Sequence, residues 1–505
     1  MKKSIIAIVV MLLLLAVTGR FFVLKKKVLT NSVAVSCCHE SYFSQKDFYE
    51  ESYGNAKSMH GDARTPIQAI MVNHHLLAAS YIAEAFNQVA TTAPLTVLLV
   101  SPNHFNAGKG NIITSAEQWQ TPYGKLEPDE QFVHELTAKA LVTIEEDPFS
   151  QEHGISGIVA FIKKSLPNAR VVPVIFRNRM TLGQSLKAAD QFKTILPNNT
   201  LVVGSFDFSH YLPSNAADFH DLENLNAVES FDLSSIYNLD IDSRPGLSFF
   251  LRLLKDSNAQ KFTLLEHSNS AKFAKIDALE TTSYITGYFT DGQPATSSVD
   301  TLLSLGPIAA TSTVERLVEK KSFSYALTYM ERLLYGQDAT FAFINASDPF
   351  VESAVKKLGV LLEHENHIVR QLGPLRVDLA LCSSGQAEMY INSGSDIVVC
   401  QGASINRIEM YKNKPIIYAQ GNFLDSKAIN SGKGSMAVGL AHKNNLLRIY
   451  LLPIGVQQGE IKLLVGKEND TVLREMAANS MVSTEIKTEI KTGVADLMFA
   501  NGRKW

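Results

Sequence analysis

Three histidines follow directly on apolar, strand-like runs. Ile67–Val72 (IQAIMV) leads into Asn73, His74 and His75. Leu95–Val100 (LTVLLV) leads into Ser101, Pro102, Asn103 and His104. Leu201–Gly204 (LVVG) breaks into Ser205, Asp207, Ser209 and His210. Burying such polar groups at the end of a strand is costly unless they are paired or bind something. Two imidazoles and one carboxylate on one face, with positions left open, are what a mononuclear Fe(II) site uses. His74 and His104 supply the imidazoles. Asp207 with His210 is one source of the remaining group, and Asp242 in NLDIDSRPG is another. His153 in QEHGIS, with Glu152 beside it, adds a further polar group. Cu and Zn also suit imidazole-rich ligation, so ligand type alone leaves the metal open.

Positioning these groups requires strands that end at one edge. In open parallel α/β sheets, ligands bind beyond the carboxyl ends of the strands. The chain has the matching rhythm. Helical stretches are expected at Leu76–Val89, near Asp129–Leu141 and at Gly157–Leu166, with strands at Arg170–Phe176 and Thr282–Phe289. In the first helix Leu77, Tyr81, Ala85 and Val89 recur every four residues, one apolar stripe. The expectation is an α/β fold, a largely parallel sheet flanked by helices. Asp291–Ser298 (DGQPATSS) is rich in breakers and reads as a linker. Beyond it a smaller α/β domain has strand candidates at Ala339–Ile344, Val377–Leu381, Asp396–Val399, Pro415–Gln420, Ser435–Ala441 and Leu446–Leu452. The tandem TEIKTEIKT, Thr484–Thr492, suits an exposed helix end.

A chain of 505 residues needs two or three cores. Lys plus Arg number 47 against 50 Asp plus Glu, so no basic field exists and nucleic acid is excluded as a partner. Four cysteines are too few for a disulfide scaffold. Cys382 and Cys400 leave two options open, a disulfide in an oxidising compartment or two buried thiols. Near the start, Lys2 and Lys3 precede the apolar run Ile5–Val17. Phe21–Leu24 resumes it before Lys25–Lys27. Its length through Leu24 suits a single-pass anchor at the cell membrane, with the bulk of the protein outside the cytoplasm. A cleaved signal peptide is the alternative.

The ordered set HHLL, SPNHF, EHGIS, SFDFSH, SRPG, HSNSA and TSYITGYF resembles the Memo family. This family is known in bacteria as AmmeMemoRadiSam system protein B. The resemblance covers about Ser41–Thr290 and implies a fold similar to class III extradiol ring-cleaving dioxygenases. It places His74 and His104 at the family's metal-binding histidines. Asp207 and His210 fall at the Asp and His that line the same cleft. Asp242 stands where animal members have a cysteine ligand, and Ser156 where the family often has a Glu. The resemblance implies a metal-binding cleft more firmly than a reaction.

Ser393–Ser426, with YKNKPI and GNF, resembles the CapA-type family of poly-gamma-glutamate capsule synthesis. That family is similar in fold to metallophosphoesterases. Pro307, Ser347, Ser383, Gln401 and Ser404 stand where it has metal ligands. Neutral amides and hydroxyls cannot replace a dinuclear set of hard anionic and imidazole ligands, so a catalytically dead relative is expected. The expected division is an anchor over 1–28, a Memo-like domain over 41–290, a linker over 291–300, a CapA-like domain over 301–466 and a tail over 467–505. The expected function is metal binding, Fe(II) ahead of Cu or Zn, at His74, His104 and Asp242. Asp207, His210 and His153 would be acid/base or orienting groups, with oxidative chemistry on a small-molecule substrate. The alternative is a non-enzymatic envelope protein that binds metal or an anionic surface polymer.

Overall fold

A computed structural model describes residues 38–57, 66–296, 298–308, 332–334, 337–344, 349–357, 359–421, 435–457 and 460–498. The expected anchor over 1–28 lies outside them, as does Ser347. Among the described residues no helix is long and apolar enough to cross a membrane.

Four strands form the parallel heart of a nine-stranded sheet. In spatial order they are Ile67–Val72, Thr200–Ser205, Thr96–Pro102 and Arg170–Phe176. Their side chains alternate between two buried faces. Ala69, Met71, Leu98, Val100, Val172, Val174 and Val202 join one core. Ile70, Val72, Val97, Leu99, Val171, Ile175 and Val203 join the other. Both faces are covered, which is why these segments read as unbroken apolar runs. The last of these four in chain order, Thr200–Ser205, inserts between the two histidine-bearing strands, with Ser205 opposite Val72 and Gly204 opposite Val100. Asp207 therefore emerges between His74 and His104.

Two parts of this sheet go beyond the sequence reading. Phe208–Leu212 is a further strand, with Phe206 and Phe208 fully buried. Thr281–Thr290 is an inner strand. It lies between Phe208–Leu212 and Ile67–Val72, antiparallel to both, and also pairs with Lys261–Asn269.

Beyond residue 299 two further sheets pack together. One orders Leu361–Glu363, Ala339–Phe343, Asp300–Ser304, Ser435–Lys443, Leu446–Gln457 and Glu460–Leu463. The other orders His367–Leu372, Leu375–Leu381, Ile397–Ala403, Lys414–Gln420 and Arg407–Tyr411. Leu302, Phe341, Met436 and Val438 from the first share a core with Val377, Val399 and Ile417 from the second. Of the stretch expected as a tail, Gly466–Asn479 and Thr484–Ile490 are helices. Val494–Met498 pairs with Leu446–Gln457, because Leu473, Met476, Ile490 and Leu497 are buried in that same core. Cys382 and Cys400 form a disulfide, Cα atoms 5.2 Å apart, between neighbouring parallel strand ends.

The helix Ser214–Ser230 lies between the two halves. Its apolar residues follow no single stripe, since opposite sides are buried. Leu212, Ala216 and Phe219 share a core with Leu303, Ala437 and Tyr450. Its polar groups are matched across the junction: Thr301 Oγ1 donates to Glu223 (2.8 Å) and Lys443 pairs with Glu229 (3.3 Å).

Candidate metal centre

His74 is the second residue past its strand and its side chain is almost fully buried. Its backbone N–H donates to Asp207 Oδ1 (3.1 Å), and its Nδ1 meets Ser205 Oγ (3.1 Å). That leaves Nε2 facing Asp207 Oδ2 at 3.4 Å and Asp242 Oδ2 at 3.3 Å.

His104 ends its strand in the same way. Its backbone N–H donates to Glu152 Oε2 (2.9 Å) and its Nδ1 meets Glu152 Oε1 (2.6 Å). Its Nε2 lies 3.9 Å from Asp242 Oδ2. Glu152 is 1% exposed and also accepts from the Gly154 N–H (3.0 Å). A side chain at Gly154 would collide with Ser101 Oγ at 2.1 Å, so this close packing requires glycine.

Asp242 reaches the cluster through backbone pairing. Its N–H donates to the Asp207 carbonyl (3.2 Å), and its Oδ2 accepts from the Asp207 N–H (2.8 Å). The local roles next to it are filled by other groups. Ser243 caps the helix Arg244–Lys255, and Arg244 donates to the Leu239 carbonyl (2.9 Å). Asp242 Oδ1 is buried with no hydrogen-bond partner, an uncompensated acceptor that a cation would satisfy.

His153 is placed with these groups as well. Its ring stacks on His104 with centroids 4.0 Å apart and lies 5.2 Å from the ring of His74. The ligand atoms of His74, His104 and His153 all lie within 4.8 Å of one another. His210 occupies the adjacent strand opposite Thr282. Its N–H donates to Asp240 Oδ2 (2.9 Å), and Asp240 Oδ1 accepts from Arg332 (2.8 Å). Two contributors went unseen in the sequence. Glu152 had been noted only as a neighbour, although its spacing before His153 and Gly154 was visible. Ser205 was part of the motif but had no role.

The electrostatics set the acids and bases apart. Burial pushes Asp207 up to about 7 and Asp242 well above the usual carboxylate range, where the charge of Asp207 adds to the effect. Burial pushes His153 and His210 down to about 4, and His74 well below its ordinary value. The other histidines of the group depress His74 further. His74, His153 and His210 are therefore neutral at neutral pH, with lone pairs to donate.

Comparisons with known proteins cover the region that holds these residues. Residues 41–288 match the family model described as Memo-like protein. A MEMO1 family protein of Caldivirga maquilingensis is 26% identical over 231 residues, 44% of this chain and 77% of the relative. One of Nitrosopumilus maritimus is 23% identical over 217 residues, 40% of this chain and 75% of the relative. Among solved structures, Vps29 of Chaetomium thermophilum overlaps 33% of this chain and 95% of its own, at 12% identity and a TM-score of 0.24. At a TM-score this low the architecture rests on the strand order given above. Over residues 41–288 the chain is similar to Memo-like proteins, and His74, His104, His153, Asp207 and Asp242 lie within that span.

Proposed function

We propose that the Memo-like region binds one redox-active metal, Fe(II) ahead of Cu or Zn, through His74, His104 and Asp242. The supporting observation is that Asp242 Oδ2 lies 3.3 and 3.9 Å from the two Nε2 atoms. Donors held at about 2.0–2.2 Å from one ion stand at comparable mutual distances. Each histidine also has its Nδ1 engaged, by Ser205 or Glu152, the outer support that aims a ligating nitrogen. A two-histidine, one-carboxylate set suits Fe(II), which when bound would supply oxidative chemistry. Asp207, protonated up to about pH 7, can give or take a proton near neutrality. His153 and His210 can orient a small-molecule substrate.

The second region, on this reading, is a CapA-like domain without catalytic metal. Two of its described residues at the ligand places, Gln401 and Ser383, are engaged as structural groups. Gln401 is buried and donates to Ser304 Oγ (2.8 Å), and Ser383 caps the helix Ser384–Asn392 with Gln386. Pro307 has no metal-binding atom on its side chain. The Cys382–Cys400 disulfide fits an oxidising compartment, in keeping with a membrane-anchored protein whose bulk is extracytoplasmic.

The test is elemental analysis of the protein purified without oxygen, followed by assay for metal-dependent oxygen consumption with candidate small molecules. One bound iron with turnover supports the proposal. Stoichiometric metal binding with no turnover of any substrate favours the binding-protein alternative.

Two expected outcomes arise from the same geometry. Glu152→Gln removes the charged support of His104 and lowers metal affinity roughly 10–100-fold, read by competition with a chelator. An affinity equal to that of the parent protein would show that Glu152 serves the fold alone. The second concerns protons. In the metal-free protein Asp242 holds its proton well above the usual range, because of burial and Asp207. A cation must displace that proton. Affinity therefore rises with pH, and uptake releases a proton wherever Asp242 is still protonated. Calorimetry in two buffers of different ionisation enthalpy measures the release, which Asp242→Asn should diminish.

A further inference from the structure

A second convergence of metal-ligating groups lies apart from the histidine cluster. His39 sits on the strand Cys38–Glu40, which joins a small sheet with Gln118–Thr121 and Gly124–Leu126. Its Nε2 is 2.8 Å from Glu146 Oε2 and 3.8 Å from Glu117 Oε2. The three ligand atoms lie within 4.8 Å of one another. Two carboxylates converging on one imidazole repel each other, and the ion pairs described for both are with His39 alone.

The geometry points to a second divalent-cation site, formed by His39, Glu117 and Glu146, of the class that takes Zn²⁺ or Mn²⁺. Tetrahedral zinc holds nitrogen and oxygen ligands at about 2.0–2.2 Å, so its donors stand roughly 3.3–3.6 Å apart. The 3.8 Å pair must close by a few tenths of an ångström. The 2.8 Å pair must open slightly, and Glu117 and Glu146, 35% and 29% exposed, have room to move.

The ligands are pre-positioned by independent contacts. Glu146 Oε1 accepts from the Ala116 N–H (2.9 Å), and Ser115 Oγ donates to Glu146 Oε2. The His39 ring is flanked by Trp119 (4.7 Å) and Phe149 (5.8 Å). With one imidazole and two carboxylates, the cation's remaining positions are left to water. Such a site pins strand and loop rather than running a reaction. It fastens the chain at His39 to the loop at Glu146, 107 residues later.

The test uses the full chain, stripped with chelator, dialysed against Zn²⁺ and analysed for zinc per chain. His74→Ala is the background, so that the histidine cluster contributes little. Adding Glu117→Gln, which leaves the bonds to Ser115 and Ala116 intact, should remove about one zinc per chain. It should also abolish the rise in melting temperature that zinc produces in His74→Ala. Should Glu117→Gln not fold by circular dichroism, His39→Gln is read in the same way. Zinc content equal to that of His74→Ala alone, in a folded double variant, overturns the proposal.

Discussion

Asp242→Ala is expected to lower iron occupancy as far as His74→Ala or His104→Ala does. Asp242 Oδ2 lies between the two Nε2 atoms, while Oδ1 is buried without a partner. Loss of a mere supporting partner costs roughly 10–100-fold in affinity, so loss of a ligand should cost at least that. Asp242→Cys should shift preference toward copper, because sulfur is the softer donor. Elemental analysis of protein purified without oxygen reads both. Since Ser243 caps the following helix, Asp242→Ala should leave the circular dichroism spectrum unchanged. Unchanged iron in a folded Asp242→Ala protein would move the third-ligand role to His153, whose ligand atom lies within 4.8 Å of those of His74 and His104.

Phe219→Ala should produce the largest loss of stability. Phe219 is fully buried, and its ring lies 5.1 Å from that of Tyr450 across the junction. A Cβ on Gly439 would sit 3.0 Å from the same ring, so glycine is there to admit it. Truncating such a residue costs about 3–5 kcal/mol in lost burial and cavity. The loss falls where the helix Ser214–Ser230 joins the two halves. Thermal unfolding should therefore begin at a lower temperature and separate into two steps. A single transition at the parent temperature would show that the halves are held together elsewhere.

Much of the site was legible in the chain. The runs IQAIMV, LTVLLV and LVVG are apolar because both faces of their sheet are covered, and period and composition report that directly. A histidine just past such a run lies at the carboxyl edge wherever the strand sits. The strand candidates after residue 339 were legible for the same reason: their boundaries are marked by turn residues such as Asn413 and Asn444, both at positive φ.

Tertiary structure alone decided the neighbours. Periodicity says which side of a strand is apolar, not which strand lies beside it. The insertion of Thr200–Ser205 between Ile67–Val72 and Thr96–Pro102 brings Asp207 and Ser205 to His74. The pairing of the Asp242 backbone with Asp207 joins residues 35 apart in the chain. Glu152 serves His104 across 48 residues. The helix Ser214–Ser230 has almost no stripe to read, because it is buried from two sides by sheets far apart in sequence. Each of these contacts is long-range, and a local pattern carries no record of the partner that fills it. What the chain determined by itself was which groups stand at strand ends; the packing of those strands determined which of them meet.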